Sequence, residues 1–135
     1  MGELGEALGI LTVLLYGAAI LNFFIKWGNR NWVMKLPKEN GFRAAYQNVM
    51  KFLVKNHRFF GIGAAAVMVT HVILQIIFRW VSVTGLIAAG LALVTITLGI
   101  VLFKSKKRTP AMLWAHRGSV IALTLAILTH LISKL

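Results

Sequence analysis

The four histidines of this chain, His57, His71, His116 and His130, are its clearest candidates for chemistry. They form two pairs, and the members of each pair are fourteen residues apart. The neighbouring residues repeat as well, because the pattern His-Arg, eleven residues, Thr-His occurs once from His57 and again from His116. The second copy begins fifty-nine residues after the first, which indicates an internal repeat of a two-helix unit.

Helical geometry explains what this spacing can do. Fourteen residues make nearly four helical turns, so both histidines of a pair share one face and lie ~21 Å apart along the axis. Two parallel helices place His57 level with His116, and His71 level with His130. Two imidazoles at one level can ligate a haem iron from both sides. The pattern therefore predicts two haem b groups, an inner one held by His57 and His116 and an outer one held by His71 and His130.

Small residues accompany the histidines. Gly61 lies between His57 and His71, while Gly85 and Gly99 are themselves fourteen residues apart on the third apolar stretch. If the third helix runs antiparallel to the second, Gly85 is level with the outer pair and Gly99 with the inner pair. Gly5 and Ala19 repeat the same spacing as a weaker signal. We expect these glycines to make room for a macrocycle; the alternative is close helix packing.

Arg58 and Arg117 each follow an inner histidine. An arginine at mid-membrane costs ~2.5–3.5 kcal/mol on insertion scales and less near the interface. A haem propionate is a fitting bidentate partner for a guanidinium, whereas the alternative is a side chain that snorkels to the headgroups. Thr70 and Thr129 each precede an outer histidine. Each threonine hydroxyl is expected to support the ring N–H of that histidine; the alternative is a hydrogen bond back to its own helix.

The elements that position these residues follow from the apolar stretches. The chain has 135 residues, of which 59% are hydrophobic, and its mean hydropathy is +0.80. A helix needs about 20 apolar residues to cross a bilayer, and none of the four apolar stretches alternates as a membrane strand would. We expect an all-α, integral membrane four-helix bundle of up-down-up-down topology, a single transmembrane domain over residues 1–135. Its spans are at about 7–25, 59–78, 80–103 and 110–133, forming two repeated helix pairs.

The segment at about 40–56 carries a different pattern. Apolar residues at helical spacing alternate with basic ones after a break at Pro37 and the Glu39-Asn40-Gly41 run. This predicts an amphipathic helix on the inner membrane surface that leads into the second span. The alternative is a docking surface for a partner protein.

The net charge of +12 is unevenly distributed. Basic residues concentrate between the first two spans and between the last two, while the opposite side holds only Arg79 and Lys134. The positive-inside rule then places both long loops in the cytoplasm and both termini outside a multi-pass protein of the cytoplasmic (inner) membrane. Membrane lipid accounts for this charge, so no nucleic acid is expected. Glu3 and Glu6 before the first span are the reverse of a secretory signal's basic flank.

Composition excludes several kinds of site. The chain has no cysteine, which rules out disulfides and cysteine-ligated clusters. Three glutamates and no aspartate leave little material for paired-carboxylate chemistry. A zinc site or proton relay would need carboxylates or a closer histidine cluster.

The histidine pattern resembles the membrane dihaem b-type cytochromes. It is similar to the haem bundle of quinol-oxidising cytochrome b, with fourteen-spaced histidines on the second and fourth helices and glycines on the first and third. The run His57-Arg58-Phe59-Phe60-Gly61 resembles the ferric-reductase-like transmembrane domain. These 135 residues lack the later helices of cytochrome b and the flavin and nucleotide domains of full ferric reductases, so the electron donor and acceptor stay open.

The function expected is transmembrane electron transfer, as an oxidoreductase module or electron-transfer subunit, because bis-histidine ligation fills both axial positions of the iron. No catalytic residue is assigned. The donor and acceptor expected include a quinone and a redox partner protein at the cytoplasmic face. Gln75 and Arg79 are candidate outer quinone residues, and Asn22 and Lys26 offer polar groups at the inner end; the alternative is that all four are ordinary interfacial residues. A haem-containing anchor of a larger oxidoreductase and a haem-free transporter using its histidines are the alternative functions.

Overall fold

The structure, a computed structural model, describes residues 2–78 and 82–134, and within these ranges it contains no strand. The four long helices are α1 (Gly2–Asn31), α2 (Gly41–Phe78), α3 (Val83–Lys104) and α4 (Pro110–Ile132). A short 3-10 turn, Val33–Lys35, follows α1. The expected all-α fold with four long apolar helices is confirmed. Arg79 and Trp80, the latter at the start of the predicted third span, lie outside the described residues.

The first two helices are longer than the predicted spans. α1 has 30 residues and continues past the apolar stretch through Lys26 and Arg30. α2 has 38 residues and joins the amphipathic segment and the second span in one helix, since no glycine or proline interrupts the residues around His57. α3 and α4, with 22 and 23 residues, end close to the predicted bounds.

Side-chain caps fix three of the helix starts. The Asn40 side-chain oxygen accepts hydrogen bonds from the backbone N–H groups of Phe42 (2.9 Å) and Arg43 (3.3 Å). Thr109 accepts from Met112 N–H at 3.3 Å, with Pro110 at the first helical position. Ser82 caps α3 in the same way. These are the residue types that satisfy the otherwise unpaired N–H groups of a first turn.

The chain forms two compact units. The unit Ile10–Ala64 contains α1 from Ile10 onwards, the connecting segment and the first part of α2. In it, Tyr46 Oη donates to the Ile25 carbonyl at 3.0 Å, and Arg43 Nη1 donates to the Leu36 carbonyl at 2.6 Å. Gly28 is buried against Tyr46, whose hydroxyl lies 2.5 Å from where a methyl group on Gly28 would be. These contacts hold the start of α2 against α1 and against the connecting segment.

The other unit comprises Met1–Gly9 and Ala65–Leu135. In it, α3 packs along α4, with Ala92, Thr95 and Leu102 of α3 buried at helical spacing. Most of the large apolar side chains are exposed, including Val83 and Ile132, which are 72% and 69% accessible. A water-soluble domain rarely leaves so much apolar surface uncovered. All four helices are long and apolar enough to span a membrane, which is consistent with a multi-pass membrane protein.

Candidate functional site

The two histidines of α2 each bond to a backbone carbonyl of α1. His57 Nδ1 lies 3.0 Å from the Ala19 carbonyl oxygen, in the unit Ile10–Ala64. His71 Nδ1 lies 2.8 Å from the Gly5 carbonyl oxygen, in the other unit. Both side chains are half-buried, so each ring has one edge against the neighbouring helix.

The two histidines of α4 repeat this arrangement against α3. His116 Nδ1 lies 3.2 Å from the Thr95 carbonyl oxygen, and His130 Nδ1 lies 3.0 Å from Thr84 Oγ1. Both rings are again half-buried. All four predicted ligands therefore use the same ring nitrogen to contact the preceding helix.

The repeat holds between the helices as well as along them. The α2 histidines map onto the α4 histidines by a shift of fifty-nine residues. Ala19 maps onto Thr95, and Gly9 onto Gly85, by a shift of seventy-six. Each mapped pair contacts the mapped histidine. The sequence alone predicts the first shift, whereas the second becomes visible only when the contacts are known.

Three of these hydrogen bonds fix the ring tautomer. A carbonyl oxygen can only accept, so Nδ1 of His57, His71 and His116 must carry the hydrogen. In a neutral imidazole the lone pair then lies on Nε2. A histidine whose Nδ1–H is held by a carbonyl while Nε2 carries the lone pair is the usual metal-ligating form.

A count of hydrogens fixes the tautomer of His130. Thr84 Oγ1 contacts His130 Nδ1, Ser82 Oγ at 2.8 Å and Ser133 Oγ at 3.1 Å. Ser133 Oγ donates to the His130 carbonyl at 2.7 Å, and Gly85 N–H donates to Ser82 Oγ. These five contacts need five hydrogens. The three hydroxyls and Gly85 N–H supply four, so Nδ1–H of His130 supplies the fifth, and Nε2 again carries the lone pair.

Three glycines seat the histidine rings directly. A methyl group on Gly85 would lie 3.1 Å from Cε1 of His130, one on Gly9 3.3 Å from Cε1 of His71, and one on Gly99 3.4 Å from Cε1 of His116. The space at these positions is filled by an imidazole in the structure. Gly61 has no atom within 4 Å of such a methyl group. Gly9 was missed because the fourteen-residue spacing singled out Gly5.

The arginines and threonines beside the histidines contact residues of their own helices. Arg58 lies over the Phe59 ring at 4.7 Å and Arg117 over the Trp114 ring at 5.5 Å, both exposed. Thr70 donates to the Ala66 carbonyl and Thr129 to that of Leu125, each within its own helix. The back-bonding alternative for these threonines is therefore what the structure shows. The groups that support the rings are Gly5, Ala19, Thr84 and Thr95, and the sequence carries no signal for the two threonines among them.

Both members of the outer pair, His71 and His130, belong to the unit Met1–Gly9 and Ala65–Leu135. Among the described residues no three histidine, aspartate or glutamate side chains form a group that could hold a metal ion. His57 and His116 belong to different units, and their pairing stays a prediction from the sequence.

The polar residues named for a quinone are divided between the two units. Gln75 is half-buried, with its Nε2 3.2 Å from the position of a methyl group on Gly5. Arg79 lies outside the described residues. On α1, Asn22 Oδ1 and Asn29 Oδ1 are buried, and neither has a hydrogen-bond partner in the part of the chain that the structure describes. A buried amide oxygen of this kind fits a ligand that brings its own hydrogen-bond donor.

The fold and site together define a helical protein, able by length and composition to span a membrane, with four histidines that contact the preceding helix through Nδ1 in two repeated helix pairs. No protein-family model, curated protein or solved structure matches this chain. The function is therefore argued from the residues themselves.

Proposed function

We propose that this chain is a transmembrane electron-transfer cytochrome that binds two haem b groups. The observation that carries the proposal is the fourfold anchoring of histidine Nδ1 on the preceding helix, which leaves the ligand lone pair on Nε2 each time. A histidine that merely filled a packing position would not need the same tautomer in all four places.

The outer haem is assigned to His71 and His130, which share the fourteen-residue spacing with the other pair and belong to one unit. The inner haem is assigned to His57 and His116 from the common fourteen-residue spacing alone. When bound, each haem would be held by the two imidazoles of its pair and would supply an iron that takes up and releases one electron. Arg58 and Arg117, each one residue from an inner ligand, are the proposed partners of the propionates.

The protein's own groups prepare the ligands. The carbonyls of Gly5, Ala19 and Thr95 hold the ring planes and raise the basicity of Nε2 by accepting the Nδ1 hydrogen. Gly9, Gly85 and Gly99 leave the space that the rings occupy.

The proposed topology follows the charges. The basic loops face the cytoplasm and both termini lie outside the inner membrane, with anionic lipid against the basic side chains. The proposed electron donor and acceptor are a quinone and a redox partner protein at the cytoplasmic face, with the direction of transfer between them left open. Asn22 Oδ1, one helical turn beyond the carbonyl that holds His57, suits a quinol hydroxyl at the inner end. Gln75, one turn beyond His71, is the corresponding group at the outer end.

A reduced-minus-oxidised absorption spectrum with haem quantitation on the purified full chain tests the proposal. We expect two low-spin b-type haems per chain. His71→Ala, His130→Ala and the double variant should each retain one haem, because the outer site needs both ligands and the loss of one removes the same haem as the loss of two. Asn56→Ala is the control and should retain two, because this amide beside His57 bonds, within the described residues, to the Phe52 carbonyl alone. Haem-free protein from haem-sufficient cells would contradict the proposal and favour the transport alternative.

A further inference from the structure

The amphipathic part of α2 has an exposed side that combines apolar and basic residues. The apolar members are all exposed and lie at helical spacing: Phe42, Ala45, Val49 and Phe52. Lys51 and Lys55, also exposed, form a basic row beside them. These six residues are called the outer face of α2. We propose that the outer face docks an acidic electron-carrier protein. This inference names the partner in the proposed function and rests on it.

Contacts with α1 determine which side of α2 is covered. Tyr46 Oη donates to the Ile25 carbonyl, and His57 Nδ1 lies 3.0 Å from the Ala19 carbonyl oxygen, all within the unit Ile10–Ala64. Half-buried residues continue this side of the helix between the two contacts: Met50 and Leu53. The outer face occupies the remaining sides of α2, so α1 does not cover it.

The length of α2 places the outer face beyond the bilayer. The helix has 38 residues, ~57 Å at about 1.5 Å per residue, whereas a hydrocarbon core is about 30 Å thick. With the proposed span beginning at residue 59, Phe52 lies ~10 Å and Val49 ~15 Å beyond it along the axis. The headgroups add only about 5–8 Å on each side. Even at a tilt of about 40°, Val49 stays ~11 Å outside the hydrocarbon. Because α2 is one continuous helix, its outer face stands in water rather than on lipid.

Charge selects the kind of partner. The unit Ile10–Ala64 contains eight lysine or arginine residues and one acidic residue, Glu39. An acidic protein meets this surface with complementary charge, which steers its approach. A second copy of the chain would instead bring its own Lys51 and Lys55, and a net charge of +12, against like charges. Aromatic and apolar anchors bordered by charged side chains are typical of a protein interface.

The outer face also lies beside a candidate haem ligand. Phe52 precedes His57 by five residues, which is ~7.5 Å along α2. A carrier seated on the outer face therefore brings its redox group to the end of the chain where His57 lies. Tyr46 and Arg43 already hold this part of α2 through hydrogen bonds to backbone carbonyls, so docking requires little further ordering.

Spin labels test where the outer face lies. The chain has no cysteine, so Val49→Cys and Ile62→Cys each accept one nitroxide label on the full chain in phosphatidylcholine vesicles. Ile62, 61% accessible and within the proposed span, is the lipid-facing control. We expect the Val49 label to collide mainly with a water-soluble nickel chelate and the Ile62 label mainly with dissolved oxygen. A Val49 label that behaves like the Ile62 label would overturn the inference and place this face on the membrane surface.

Binding of a purified acidic flavodoxin tests the partner. We expect salt-sensitive binding to the full chain in phosphatidylcholine nanodiscs. Lys51→Glu and Phe52→Ser should each weaken the affinity about tenfold. Lys107→Glu is the matched control, because it changes the net charge equally but lies in the connection between α3 and α4. Its effect on the affinity should be clearly smaller.

Three outcomes of the binding measurements would overturn the inference. Equal effects of Lys51→Glu and Lys107→Glu would show that only the general positive charge matters. Absence of salt-sensitive binding, or a dimer of the chain that Phe52→Ser dissociates, would exclude an acidic partner at this face. Variants that lose binding but keep two haems leave the proposed function standing. A wild-type chain without haem would fail the proposed function, while the labels and the binding still decide the docking surface.

Discussion

Replacing Gly85 by alanine tests whether glycine on α3 exists to seat the His130 ring. The added methyl carbon would lie 3.1 Å from Cε1 of His130 and 3.5 Å from both ring nitrogens. Carbon atoms pack best at about 3.5–4.0 Å, so the ring must retreat by a few tenths of an ångström. It cannot do so freely, because Nδ1 is held 3.0 Å from Thr84 within a closed ring of hydrogen bonds.

The magnitude follows from three contributions. Forcing a methyl group into a filled site costs about 1–3 kcal/mol. Weakening the His130–Thr84 hydrogen bond adds about 0.5–1.5 kcal/mol. Alanine recovers about 0.5–1 kcal/mol over glycine within a helix. Gly85→Ala should therefore lower the free energy of unfolding by about 2 kcal/mol, and Gly99→Ala, with its longer 3.4 Å approach, by less.

Gly90 provides the control on the same helix. A methyl group there meets no atom of the described residues within 4 Å, so Gly90→Ala should raise the free energy of unfolding by about 0.5–1 kcal/mol. Unfolding by SDS titration in mixed micelles, followed by tryptophan fluorescence, measures both variants without haem. In haem-loaded protein, Gly85→Ala should lose or perturb one haem and Gly90→Ala neither. Equal stability of the two variants, with two unperturbed haems in each, would refute the idea that Gly85 seats the ring.

Three further predictions address the rest of the chain. Gly28→Ala should lower the free energy of unfolding, because its methyl group would lie 2.5 Å from the Tyr46 hydroxyl. Tyr46→Phe alone costs about 1 kcal/mol but should partly rescue Gly28→Ala, because it removes that hydroxyl. Additive effects of the two changes on the free energy of unfolding would contradict this contact. Gln75→Leu should slow quinol-dependent haem reduction in stopped-flow measurements, and unchanged kinetics would remove the outer quinone site. Arg117→Gln should lower the midpoint potential of one haem while Arg108→Gln does not; equal effects would indicate that Arg117 only snorkels to the headgroups.

The sequence predicts the helices well because each is bounded by strong local signals. The fourth helix was expected over 110–133 and runs Pro110–Ile132, between a threonine cap and a polar end. The first and second helices exceed their apolar windows because hydropathy detects the membrane-length part of a helix and not its polar continuation. Lys26 and Arg30 continue α1, and the residues before His57 belong to α2.

Two of the four partners of the histidine rings, Thr84 and Thr95, could not be predicted from the sequence, whereas the spacing did single out Gly5 and Ala19. A periodic pattern shows which face of a helix a residue occupies, but the register between two helices depends on all of their packing contacts. Thr95 accepts through its backbone, so its side-chain type carries no signal. Gly61 matched the pattern but has open space beside it, whereas Gly9 contacts His71.

The two shifts also locate the difference between the repeats. His57 bonds to a residue thirty-eight positions earlier, and His116 to one twenty-one positions earlier. The first helix pair therefore holds seventeen more residues between its paired positions, and they fall in the connection that contains the 3-10 turn and the start of α2. Tyr46 and Arg43 fix this longer connection by bonding to carbonyls of Ile25 and Leu36. If the histidine pairs do the same task in both repeats, the longer connection adds an ordered basic surface beside only one inner ligand, His57. That is where a cytoplasmic electron donor should be sought first.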